Sequence, residues 1–190
     1  MAKIHPKTPS FSPESNQTRE VFTIWMKSLV FHSYGCTVFD SSGEIVYRVE
    51  NYTKKCSNEV YLMDLRGRVL VTIRRKKLGL FGRWDCYIWG YTNKVKPWFS
   101  VKKCCRILMG DVVCQAFDGC NKYCLEELAG KAAFKIADTN KNIVAEVKQK
   151  QSSSGYSLGE DVLTLVVEPH VDHRLIMSIV TVYALINKKM

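Results

Sequence analysis

A chain of 190 residues, 46% of them apolar, can bury one substantial core, and its composition shows no low-complexity disorder beyond its start. Its formal net charge of +10 suits an anionic partner such as a phosphoinositide headgroup, an acidic membrane or nucleic acid. No metalloprotease, Walker or dinucleotide-binding motif is present, which removes those enzyme classes.

The chain begins with a stretch, residues 1–19, that holds Pro6, Pro9 and Pro13 among Ser, Thr, Asn and Gln, and it predicts a disordered tail. It contains no apolar secretory segment, and Ala2 replaces the Gly that myristoylation requires. At the other end Asn187-Lys188-Lys189-Met190 carries no prenylation Cys. The expectation is a cytoplasmic protein, with a peripheral plasma-membrane or nuclear location as variants. Eight cysteines in such a compartment read as reduced thiols packed like small hydrophobes. A metal site from Cys104, Cys105, Cys120 and Cys124 is disfavoured by their spacing and by the lack of a nearby His. No metal and no cofactor are expected.

From residue 20 onward the pattern is that of strands. A unit starting with Asp recurs three times, at Asp40–Val49, Asp64–Ile73 and Asp138–Val147, aligned without gaps. The Asp closes a turn. Apolar residues follow at the fifth, seventh and ninth positions: Ile45, Tyr47, Val49; Val69, Val71, Ile73; Ile143, Ala145, Val147. This alternation predicts a sheet with one dry and one wet face. The segments 35–39 and 59–63 read as incoming strands, and further strands are expected at 21–31, 84–91, 97–104, 111–117 and 161–168, about eleven or twelve in all. A short polar helix is predicted over Tyr123–Leu128.

The charge is uneven. Between Arg66 and Arg106 stand twelve Lys or Arg against one acid, Asp85, whereas the remainder of the chain is close to neutral. A basic face follows, with Arg74, Arg75, Lys76 and Lys77 as its first candidates and Lys102 and Lys103 as secondary ones. Four consecutive basic residues cannot share one strand face, so a loop is predicted there. A solubilising surface is the competing reading. The aromatics Trp84 and Trp89 lie an odd number of residues apart, which puts them on opposite faces of a regular strand.

Gly155-Tyr156-Ser157-Leu158-Gly159 matches a serine-hydrolase elbow in letters only. The elbow needs a strand before the Ser and a helix after it, and here the Ser-rich Gln151–Ser154 precedes and a strand follows, so a loop is predicted. His170 and His173 flank Asp172, which reads as an N-cap and not as part of a catalytic pair. After it, Leu175–Ile186 contains only Ser178 and Thr181 as polar residues. A helix apolar on every side must be buried, and twelve residues span roughly 18 Å, too short for a bilayer core of about 30 Å. The fold class predicted is therefore mainly β: a closed antiparallel barrel of about twelve strands around a buried C-terminal helix, whose closure also removes the sheet edges.

The segments Trp25–Leu29, Gly35–Asp40, Gly43 with Tyr47–Tyr52, Met63-Asp64 with Gly67, and Gly159–Asp161 through His173 together resemble the plant LURP-one-related proteins, a family placed with the Tubby C-terminal domain and the phospholipid scramblases. The resemblance runs from about residue 20 to the C-terminus and implies one barrel domain over 20–190. It also implies an association with plant defence. Tubby domains bind phosphoinositides and can be tethered to the plasma membrane, although no position here is assigned by matching their lipid-binding residues. The calcium-loop spacing and Cys run of scramblases are absent.

Three readings of function follow. The first is a non-enzymatic, monomeric Tubby-like module that binds anionic phospholipid through Arg74, Arg75, Lys76, Lys77, Lys102 and Lys103. The second is a membrane-tethered, transcription-factor-like nucleic-acid binder using the same face, without a supporting motif. The third is a protein-interaction scaffold regulated by its tail.

Overall fold

The computed structural model describes residues 18–29, 34–51, 58–76, 82–89, 96–104, 112–119, 121–128, 133–152 and 154–187. Twelve strands follow in chain order: β1 Glu20–Trp25, β2 Tyr34–Phe39, β3 Ile45–Asn51, β4 Glu59–Asp64, β5 Val69–Lys76, β6 Arg83–Ile88, β7 Phe99–Lys103, β8 Val112–Asp118, β9 Asn121–Glu127, β10 Phe134–Ala137, β11 Ile143–Gln149 and β12 Val162–Val167. One long helix, α1 His173–Ile186, ends the described chain. Each strand pairs antiparallel with its sequence neighbours, and β1 pairs with β12 over six residues, Glu20 opposite Val167 through Trp25 opposite Val162. The barrel is thereby closed.

The three Asp units share one geometry. In each, an Asp Oδ1 accepts the amides two and four residues on: Ser42 and Glu44 at Asp40, Arg66 and Arg68 at Asp64, Asn140 and Asn142 at Asp138, all within 2.8–2.9 Å. The residue three places after the Asp takes a left-handed conformation, at Gly43 (φ 84), Gly67 (φ 77) and Lys141 (φ 65). A register shift precedes each Asp, between Val38 and Phe39, Leu62 and Met63, and Ile136 and Ala137. The bulge and the turn thus act together to reverse the chain while keeping the apolar residues inside. Tyr47, Val49, Val71, Ile73, Ala145 and Val147 all face the core.

All three turns lie at the end where α1 enters, here called the mouth. Asp172 caps the helix, its Oδ1 accepting the Arg174 amide at 2.8 Å, and Leu175 through Ala184 are all buried. The two buried hydroxyls are satisfied within the helix, Ser178 donating to the Arg174 carbonyl and Thr181 to the Met177 carbonyl, both at 2.7 Å. At the far end the Tyr183 hydroxyl donates to Glu127 at 2.8 Å. Among the described residues no helix is long and apolar enough to cross a membrane.

Two expectations need correction here. Tyr123–Leu128 is not a helix: residues 121–127 form β9, pairing with β8 and β10. Leu125 is buried in the core and Tyr123 packs against it, two residues apart, while Lys122, Cys124 and Glu126 alternate with them. The strand forms because barrel closure supplies hydrogen-bond partners on both sides, which local polarity does not reveal. The first strand stops at Trp25 instead of continuing to residue 31. There Lys27 pairs with Asp161 at 2.9 Å, its carbonyl accepts the Thr37 hydroxyl at 3.1 Å, and Ser28 donates to Glu50 at 2.8 Å, so this segment covers the outer wall of β2 and β3. The tail expected over residues 1–19 falls outside the described residues as far as residue 17.

Candidate anion-binding face

The wall formed by β5, β6 and β7 gathers the basic residues. On β5, Val71 and Ile73 point inward, so Arg75 shares their face and Arg74 and Lys76 point outward. The loop predicted for residues 74–77 is therefore corrected at three of its four positions: Arg74, Arg75 and Lys76 belong to the strand, and Lys77 lies outside the described residues. The premise of alternation was sound, but the barrel rim accommodates it. Arg75, opposite Trp84, reaches solvent at the far end with its guanidinium 5.9 Å from the Trp84 ring. Lys103 ends β7 on the same inward parity, as an exposed residue.

Outside, the register sets the arrangement. Lys76 opposes Arg83, and Arg83 opposes Lys102, so three cations stand side by side across three strands. One row closer to the mouth, Glu59, Arg74, Asp85 and Ser100 are opposed in the same way. Asp85 is buried beneath them. Its Oδ1 accepts Arg83 Nε at 2.7 Å and the Ser100 hydroxyl at 2.8 Å, Arg83 Nη2 donates to Ser100 at 2.9 Å, and Lys76 lies 4.0 Å from Oδ2. Arg74 is occupied differently. It grips Glu59 with two bonds, at 2.9 and 3.2 Å, and stacks 5.6 Å from the Tyr87 ring. The hydrogen bond to Glu59 raises the Arg74 pKa further, and the Tyr61 hydroxyl donates to the same carboxylate at 2.7 Å. Lys102 rests 5.5 Å from the Phe117 ring.

Arg74 is thus largely neutralised, while Lys76 and Arg83 share the single Asp85 carboxylate and Lys102 stands beside Arg83 against the Phe117 ring. Like charges directly opposed on neighbouring strands are destabilising, so this row is not arranged for stability. Arg83 was counted in the basic segment but not singled out as a binding residue. The signal that identifies it is Asp85 two places later on the same strand face, which holds its guanidinium upright between the two lysines.

Other chemical candidates are placed as follows. Ser157 sits in an exposed loop flanked by Gly155 (φ 82) and Gly159 (φ 121), with its hydroxyl accepting the Gly159 amide at 3.4 Å. His173 packs edge-on against Phe22 at 5.2 Å, and Asp172 is taken by the cap and by Arg174. Burial pushes the Cys36 and Cys114 thiols up to about 12 and raises Cys86 as well, which leaves these three as unreactive packing groups. Trp84 is buried on β6, and Trp89 is exposed in the turn just past the end of that strand, where strand alternation no longer applies.

The family model for LURP-one-related proteins matches residues 20–184. The chain is 50% identical to Protein LURP-one-related 4 of Arabidopsis thaliana over 98% of its length and 87% of that protein's. It is 42% identical to Protein LURP-one-related 11 of the same plant, over 98% of this chain and 89% of the relative. An X-ray structure of an Arabidopsis thaliana protein superposes with a TM-score of 0.64 at 18% identity, covering 91% of this chain and 94% of that one, a likeness of fold. The closed barrel with its central helix agrees with the Tubby-like architecture, and the chain belongs to the LURP-one-related family.

Proposed function

We propose that this protein is a non-enzymatic, Tubby-like module that binds anionic phospholipid headgroups, phosphoinositides foremost, through the outer wall of β5–β7. The observation that carries the reading is the row Lys76, Arg83 and Lys102, three cations opposed across three strands above one buried carboxylate. A phosphate seated on this row turns three mutual repulsions into attractions, and the Arg83 fork, held by Asp85 and Ser100, presents its remaining donors without further ordering. Arg75 and Lys103 at the far rim add charge toward the same leaflet. Peripheral tethering at the plasma membrane fits this role, and a part in plant defence signalling belongs to the same proposal.

The test is flotation with phosphoinositide-containing vesicles, comparing the wild type with Lys76→Ala/Lys102→Ala. Arg83 is retained so that Asp85 keeps its partner. Each basic residue near an acidic leaflet contributes about 1 kcal/mol, so binding should weaken about thirtyfold. Undiminished binding by a folded double variant refutes the reading, as does a DNA fragment that binds this face more tightly than the vesicles do.

A further inference from the structure

The row that begins at Lys76 does not stop at β7. Lys102 opposes Gln115 on β8, and Gln115 opposes Cys124 on β9, so the register sets an amide directly beside the last lysine. Cys114 and Ala116 on either side of it are buried in the core, which turns Gln115 toward the outer wall together with Lys102.

Gln115 is nonetheless buried, at 9% exposure, and its Nε2 is enclosed without a hydrogen-bond partner. A buried donor left without an acceptor is costly, and among the described residues its cross-strand neighbours supply none of any strength. Lys102 can only donate, and its ammonium lies 5.5 Å from the Phe117 ring. Cys124 is a free thiol, a weak acceptor. The nearby acids are engaged elsewhere: Asp85 accepts Arg83 and Ser100, and Glu126 on β9 pairs with Lys135 at 3.1 Å. Lys122, opposite Phe117, adds another cation to this side of the wall. The position therefore combines positive surroundings with an amide that lacks an acceptor.

Neighbouring strands stand about 4.8 Å apart, so an anion seated over Lys102 has Arg83 on one side and Gln115 on the other, both within side-chain reach. The terminal amide torsion of glutamine is broad, so its NH2 group turns toward such an anion at little cost. Arg83 and Lys102 can be satisfied by the two free oxygens of a phosphodiester. A donor from a third strand calls for a third terminal oxygen, which a phosphate monoester carries.

We propose that Gln115 is a specificity-determining residue of this wall: its Nε2 donates to the third oxygen of a phosphate monoester held by Arg83 and Lys102, so that the wall prefers a terminal phosphate to a phosphodiester. This rests on the headgroup-binding reading of the β5–β7 wall and extends the site to β8. The chemistry recognised is that of a terminal phosphate, whether on a lipid headgroup or free.

The experiment is calorimetric titration of the full chain with soluble probes: a glycerophosphoinositol monophosphate, which carries a monoester, glycerophosphoinositol, which has only the diester, and inorganic phosphate. The wild type binds the monoester more tightly than the diester. Gln115→Met, similar in size but without the donor, weakens the monoester about tenfold, the loss of one charge-assisted hydrogen bond, and leaves the diester unchanged. Because it removes an unpartnered buried amide, the same substitution raises the Tm of the ligand-free protein, whereas loss of an amide with a structural partner would lower it. Gln115→Glu keeps the length, sets an anion beside Lys102 and weakens the monoester at least as much. The proposal is overturned if a folded Gln115→Met binds the monoester as the wild type does, if it loses the diester equally, or if its Tm falls by several degrees. Monoester binding that is lost in Lys76→Ala/Lys102→Ala but intact in Gln115→Met refutes the role of Gln115 and leaves the headgroup reading standing. Inorganic phosphate that binds as tightly as the headgroup, with the same tenfold loss, supports Gln115 and refutes a lipid source. Absence of binding by all three probes refutes both.

Discussion

The three Asp turns provide an internal comparison whose outcome can be worked out in advance. Lys141 stands where the two equivalent turns have Gly43 and Gly67, and all three positions have φ between 65 and 84. An L-residue in the left-handed region costs roughly 1–2 kcal/mol, and glycine returns about 0.5–1 kcal/mol of that through its freer unfolded chain. Lys141→Gly should therefore stabilise the protein by about 0.5–1 kcal/mol. The reverse change can be made at Gly43, where an added Cβ meets nothing within 4 Å, so Gly43→Lys measures the backbone cost without a clash and should destabilise by a similar amount. Urea unfolding of the two variants, with slopes of about 1–3 kcal/mol per molar, would place their midpoints on opposite sides of the wild type. If Lys141→Gly lowers the midpoint or Gly43→Lys leaves it unmoved, the equivalence of the three turns is wrong.

The helix is the barrel's core, so Val180→Asp, which buries a carboxylate without a partner, should cost several kcal/mol of a total near 5–15 kcal/mol and abolish soluble folding; Ile179→Ala should cost about 2–5 kcal/mol and still fold. Deleting residues 170–190 should give aggregation, and a cooperative melt of the soluble truncation would refute the plugged barrel. An added Cβ at Gly35 overlaps the Val49 carbonyl oxygen on the neighbouring strand, so Gly35→Ala should lower Tm by several degrees, about 1–3 kcal/mol of strain, and an unchanged Tm would count against the β2–β3 approach. Burial alone would raise the Asp64 carboxyl, but the Arg68 amide and guanidinium outweigh it and hold the group below its ordinary value; the Ser42 hydroxyl and turn amides do the same at Asp40. Because the folded pKa values lie below the unfolded ones, this stabilisation is complete above about pH 4 and is lost as pH falls through the folded values, which an acid titration followed by circular dichroism checks, with Asp64→Asn flattening the transition.

The barrel was legible because its signals are local. The Asp turns recur at fixed positions, the strands after them alternate with period two, and a helix with two polar residues in twelve has only one place to go. The strand β9 was not legible, since Tyr123 and Leu125 alone do not separate alternation from a helical pattern, and its strand character comes from β8 and β10. The cationic row was legible in part: Lys76 and Lys102 stood among the candidates and Arg83 did not. Its members are scattered at Lys76, Arg83 and Lys102, and only the cross-strand register brings them together and assigns Arg74 to Glu59 instead. Composition located the basic segment, while pairing decided which of its charges remain available.

The central claim is that the outer wall of β5–β7 receives a phosphorylated headgroup, and the most direct measurement is an amide chemical-shift titration of the labelled full chain with a soluble inositol phosphate. The account predicts saturable shifts concentrated at Lys76, Arg83, Ser100 and Lys102, with the turns at Asp40 and Asp138 unmoved. Shifts centred on the mouth, on the Arg66–Arg68 turn, or absent altogether would contradict it.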